Sequence, residues 1–205
     1  MPHFNIRLQQ LKLNPSSKTD SEKLVKSALI YADACINFSQ KLNDYTGVGL
    51  GLLKKGQTYY AAEQYDRVSD FASEAIDFFV SFPNNRWWII TCHDLIAKAE
   101  SFKGNFKEAQ SHLTIAQSIW SNSSGEDNLR KCELYYTDGL ISYHKGDLPT
   151  SFNLFKESIN FNHVESPCIY KMHLHKLIDV AANLGRYEEV KKLIDEFQIM
   201  KEPVV

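Results

Sequence analysis

Apolar residues recur at three- and four-residue intervals along most of this chain, and polar breaks interrupt them at regular distances. From Ser21 to about Leu42, the residues Leu24, Ala28, Tyr31, Ala32, Cys35 and Phe38 fall at the intervals of an amphipathic helix. Asp20 or Ser21 is placed to cap its start, and Asn43-Asp44 breaks it. A second helix is predicted to about Ala62 and a third from Tyr65 to about Val80, separated by Glu63-Gln64. Phe82-Pro83-Asn84-Asn85 stops the third, because proline lacks an amide donor and asparagine favours turns. The pattern then repeats, predicting helices over residues 86–103 and 106–120, 126–145 and 147–160, and 166–184 and 186–200. Gly104, Gly146 and Gly185 separate the members of each pair, and glycine suits the left-handed position that ends a helix. Asn105 can cap the helix after Gly104, and Pro149 falls in a first turn, where it is tolerated. Residues 1–20 break the rhythm: Phe4, Ile6, Leu8, Leu11 and Leu13 suit an extended arm or short strand, ended by Asn14-Pro15.

The turns themselves are periodic. Glu63-Gln64-Tyr65, Gly104-Asn105-Phe106, Gly146-Asp147-Leu148 and Gly185-Arg186-Tyr187 are spaced 41 (104−63), 42 (146−104) and 39 (185−146) residues apart. A fixed period near forty signals helical-hairpin repeats. One hairpin cannot bury its apolar face alone, so neighbours are expected to stack into a solenoid that presents an extended surface.

Composition narrows the work such a surface can do. With 205 residues, 43% of them hydrophobic and 12% aromatic, the chain has material for a packed core, expected as one continuous folded unit. Twenty-three Lys and Arg against 25 Asp and Glu give a formal charge of −2, which attracts no polyanion over the whole surface and argues against direct nucleic-acid binding. Cys35, Cys92, Cys132 and Cys168 form no Cys-x-x-Cys pair, so they read as reduced core cysteines of a cytoplasmic protein. No apolar run reaches the length of a signal peptide core near the start or of a membrane span anywhere, so neither export nor membrane insertion is expected.

Aligned on their turns, the four hairpins resemble the tetratricopeptide-repeat (TPR) family in a longer variant of about forty residues per repeat. The small position seven residues before the turn holds Gly56, Ala97, Gly139 and Ile178, and that five residues after it holds Val68, Ala109, Ser151 and Val190. The apolar position two residues after the turn holds Tyr65, Phe106, Leu148 and Tyr187. Glu63 departs from the turn glycine, Lys55 and Asp138 stand where leucine is usual, and Glu100 takes an often aromatic site. The resemblance covers about residues 44–200 and implies an all-α, right-handed α-solenoid of stacked antiparallel hairpins. An N-terminal arm would occupy residues 1–20, a half repeat 21–42, repeats about 44–82, 86–121, 126–162 and 166–200, and a tail 201–205. The half repeat lacks its first helix, so either residues 1–20 or a second copy, giving a homodimer, is expected to cover it.

By the same resemblance, the first helix of each hairpin lines a concave groove at sites three, six, ten and thirteen residues before the turn. These sites hold Leu50, Leu53, Gln57 and Tyr60; Thr91, Asp94, Lys98 and Ser101; Glu133, Tyr136, Leu140 and Tyr143; Met172, His175, Asp179 and Ala182. Leu53, Gln57, Tyr60, Asp94, Lys98, Ser101, Glu133, Tyr136, Leu140, Tyr143, His175 and Asp179 are therefore the expected ligand-binding residues, a mixture suited to a peptide or partner protein. The family's clamp for chaperone carboxylates is not expected, because its positions hold Leu53, Gln57, Leu95, Glu133 and Thr137, and Glu133 would repel the ligand.

Catalytic and metal chemistry find no support in the residues. His173 and His175 diverge by about 200° on a helix and cannot share one ion. Neither hydrolase, zinc-protease, Walker nor dinucleotide motifs occur, and no cofactor or metal is expected. Trp87 and Trp88 are expected in the core, and Lys54-Lys55 and Lys191-Lys192 on solvated faces. The leading expectation is a non-enzymatic protein- or peptide-binding scaffold. Alternatives implied by the resemblance are a peptide-sensing module of a bacterial regulatory system and, third, a response-regulator phosphatase-like enzyme.

Overall fold

The computed structural model describes residues 18–122, 127–161 and 167–199, so most of the expected arm and all of the tail lie outside the described residues. Nine α-helices and no strand occur among them. They are α1 (Lys18–Lys41), α2 (Tyr45–Ala61), α3 (Tyr65–Phe79), α4 (Arg86–Phe102), α5 (Phe106–Ser121), α6 (Asn128–His144), α7 (Leu148–Asn160), α8 (Pro167–Asn183) and α9 (Tyr187–Ile199). A 3-10 turn over Pro83–Asn85 leads into α4. None of the described helices is long and apolar enough to cross a membrane. Because α1 begins at Lys18, Asp20 and Ser21 lie within it and are not its cap.

Asp44, Asp127 and Asp147 cap α2, α6 and α7, each accepting from the amide three residues on at 2.9–3.2 Å. The helix ends share one geometry. Gly104, Gly146 and Gly185 take positive φ, as do Glu63 at 61° and Asn43 at 54°. At all five, the residue after the left-handed one donates its amide to the carbonyl five residues earlier at 2.9 Å, closing the last helical turn. Glu63 therefore reproduces the glycine turn despite its side chain, and Asn43 adds a fifth turn of the same kind between α1 and α2.

The chain divides into two compact units, Met1–Ile119 and Trp120–Val205, where the sequence suggested one; repeats that pack only on their neighbours need share no single core. The first is centred on Leu52, Leu53, Val68, Phe79, Leu95 and Ile96, with Leu29 and Ile36 of α1 packed against them. The second is centred on Tyr136, Leu140, Phe155, Tyr170, Leu174 and Val180. Helices cross where side chains are small. A Cβ on Gly56 would stand 3.6 Å from the Val68 carbonyl oxygen, so the α3 backbone passes there. In the second unit Ser151 donates to the Gly139 carbonyl at 2.9 Å, and a Cβ on Gly139 would stand 2.7 Å from the buried Phe155 ring.

Three expectations about single residues change. Cys92 and Cys132 are buried, but Cys35 is exposed; the Cys168 side chain lies outside the described residues. Trp87 and Trp88 are half-buried, and only Trp88 packs against the first core, stacked on Phe79. Lys55 is not on a solvated face: its ammonium lies 4.6 Å from the Phe71 ring centre and 2.8 Å from Asp33 of α1.

Candidate functional site

The first helices α2, α4, α6 and α8 carry the polar groups that their packing leaves at the surface. In the first unit Lys54, exposed on α2, donates to Gln57 at 2.8 Å. One turn on, Tyr60 meets Tyr65 and Phe102 edge-on, while Tyr65 and Phe102 stack at 4.6 Å. Burial, then the charge of Glu63, pushes the Tyr65 hydroxyl up to about 12, so this cluster is neutral at physiological pH. On α4, Lys98 and Asp94 form an ion pair at 2.7 Å with only 11% of each side chain exposed.

In the second unit two first helices meet through side chains. The Lys176 ammonium of α8 lies 4.4 Å from the centre of the Tyr143 ring of α6, a cation–π contact on half-buried residues. Tyr143 also meets His144 edge-on, and the His144 pKa is lowered by burial and then by Lys176. His175 and Asp179 face each other at 3.6 Å on the exposed side of α8. This arrangement places a tyrosine face, a cation and an acid on two successive first helices. Among the described residues no group of three or more His, Cys, Asp or Glu could hold a metal ion.

No protein-family model matches the chain, and no curated protein matches it. Solved structures do. A kinesin light chain of P. anserina with nearly identical TPR-like repeats matches at TM-score 0.55 and 14% identity, over 96% of both chains. The fold is that of the TPR-like helical repeats. A Rap protein complexed with competence and sporulation factor matches at TM-score 0.72 and 19% identity, over 87% of this chain and 50% of that one. BtubC (BKLC) from P. vanneervenii matches at 0.62 and 15%, over 89% and 72%. These identities carry the fold and not the chemistry, and this chain spans half the length of the Rap protein.

Within this TPR-like frame the twelve expected groove residues separate into two groups. Leu53, Ser101 and Leu140 are at most 2% exposed, and Tyr136 is buried with its ring stacked on His173 at 4.0 Å. These four serve helix packing, so their expected contact with a ligand does not follow. The reason is rotational: α2 turns Leu53 into the first core and Lys54 outwards, and Tyr136 and Leu140 are drawn into the second core by Phe155. Gln57, Tyr60, Lys98, Glu133, Tyr143, His175 and Asp179 keep accessible surface, while Asp94 is buried and paired with Lys98. Lys98 pairs with Asp94 and His175 with Asp179, each within its own helix. Lys54 and Lys176, both nine residues before a turn, were missed; the apolar residue directly before Lys54 was the available signal.

Proposed function

We propose that this chain is a non-enzymatic scaffold that binds a peptide or partner protein along the first-helix faces of its TPR-like hairpins. The contact between Tyr143 and Lys176 carries the reading, because it joins two successive first helices through half-buried side chains on the expected binding face. A tyrosine brings large contact area at low entropic cost, and the nearby His175–Asp179 pair offers polar groups that fix orientation. The first unit carries a candidate surface of its own in Gln57, Tyr60 and Lys98. A narrower version, in which the bound peptide is a signal and the chain its sensor, is in keeping with the likeness to a Rap protein complexed with competence and sporulation factor.

Selection of a displayed random-peptide library on the full chain tests this reading. Enriched peptides should bind the wild type in calorimetry and lose roughly 5- to 150-fold in affinity to Tyr143→Ala, as expected for removal of an aromatic anchor worth about 1–3 kcal/mol. Failure to enrich any peptide, or wild-type affinity in Tyr143→Ala and Lys98→Glu alike, overturns it.

A further inference from the structure

Helix α1 carries two apolar stripes, and the fold uses one of them. Ala32 and Ser39 are buried, and Leu29 and Ile36 pack against the first core. The other stripe is Leu24, Ala28, Tyr31, Cys35, Phe38 and Leu42, at alternating spacings of four and three. Along it Leu24 and Ala28 are half-buried, while Tyr31, Cys35, Phe38 and Leu42 are exposed, Tyr31 to 76%. Ile30 and Tyr45 flank it, each more than half exposed.

We propose that this stripe is a homodimer interface, covered by α1 of a second copy running antiparallel. Apolar positions at alternating spacings of four and three are those of the seam of paired helices, so a second helix can seat on this stripe. The stripe is also self-complementary, because bulky Tyr31 and Phe38 alternate with small Ala28 and Cys35. An antiparallel copy sets Tyr31 against Cys35, Phe38 against Ala28 and Leu24 against Leu42, and the twofold axis makes each contact twice. Its size reaches the lower end of specific interfaces, about 600 Å² per partner. With about 200 Å² for each aromatic ring, the exposed side chains offer on the order of 600 Å² per copy, against about 800 Å² per partner in a standard interface. The inference is independent of the ligand reading, which concerns the first helices.

Light scattering across a wide concentration range tests it on the full chain. The wild type should reach twice the 23.5 kDa of one chain, and Phe38→Glu combined with Tyr31→Glu should stay monomeric with an unchanged circular dichroism spectrum, since both positions are exposed. Maleimide should modify Cys35 in that variant far faster than in the concentrated wild type. A wild type that remains monomeric, or a dimer that survives the double substitution, overturns the proposal. So does a wild-type monomer that dimerises only after deletion of residues 1–17, which would make the chain's own N-terminal segment the occupant.

Discussion

Glu100 is a carboxylate held at 2% exposure, a cost that its partners offset. It accepts from Ser69 of α3 at 2.6 Å, Asn105 at 2.7 Å and Lys103 at 3.0 Å, so one side chain ties α3, α4 and the following turn together. Burial raises its pKa, but these hydrogen bonds and the Lys103 charge outweigh it and hold the carboxyl below its ordinary value. Read as a sequence, the same residue is a defect at an often aromatic site; its partners lie up to 31 residues away and only the fold brings them in. Glu100→Gln should cost about 1–3 kcal/mol at neutral pH, measured by urea unfolding. A depressed carboxyl stabilises above its unfolded pKa and loses that contribution as pH falls through its folded value, so the penalty must shrink below the ordinary carboxylate range; one independent of pH refutes the role. Glu63, at φ 61°, gives a second residue-scale outcome. Glu63→Gly should stabilise by about 0.5–1 kcal/mol, while Gly104→Ala should destabilise by about 1 kcal/mol although a Cβ there meets nothing within 4 Å. Equal unfolding midpoints for wild type and both variants would remove backbone strain from the account.

Hairpins are set by where two helices approach, and that approach is written in side-chain volume. Gly56 and Gly139 on first helices meet Val68 and Phe155 on second helices, and Ala109 and Ser151 are wholly buried at the equivalent crossing positions. This is why helix order and turn positions were legible: a small residue at a fixed distance from a turn has few other reasons to recur. Ala109→Phe should destabilise by about 1–3 kcal/mol through overpacking, and Gly139→Ala by a comparable amount because Phe155 is fully enclosed. An unchanged melting temperature in both would mean that the crossings lie elsewhere. The binding face was less legible for a related reason. Which of two adjacent residues, such as Leu53 and Lys54, points outwards depends on a helix's rotation about its own axis, and that rotation is set by bulky neighbours such as Phe79 and Phe155 rather than by spacing from the turn.

At the scale of the whole molecule, the sum of its titrating groups decides how the fold responds to acid, and the formal charge of −2 says little about it. His93 of α4 and His112 of α5 approach with their Nδ1 atoms 2.8 Å apart, a geometry that allows one donor and one acceptor and has no place for two protonated rings. Burial, then the neighbouring His112, pushes His93 down to about 4; burial also lowers His112, against the opposing charges of Glu108 and Glu100. Neither residue stood out in the sequence, since the pair spans 19 positions and forms only when the hairpin closes. A histidine whose folded pKa is depressed contributes stability that is complete above its unfolded value near 6.5 and is lost as pH falls from there towards about 4. Glu100 adds its loss lower down, so acid unfolding should begin in the histidine window and steepen in the carboxylate range. From pH 7 to 5 the His93 contribution should amount to about 1–2 kcal/mol once its partial exposure is allowed for. His93→Gln keeps a hydrogen-bonding group beside His112 but does not titrate, so it should flatten the urea-unfolding profile between pH 7 and 5 by that amount. A wild type and variant that lose stability in parallel over this range would show that the pair does not govern the response.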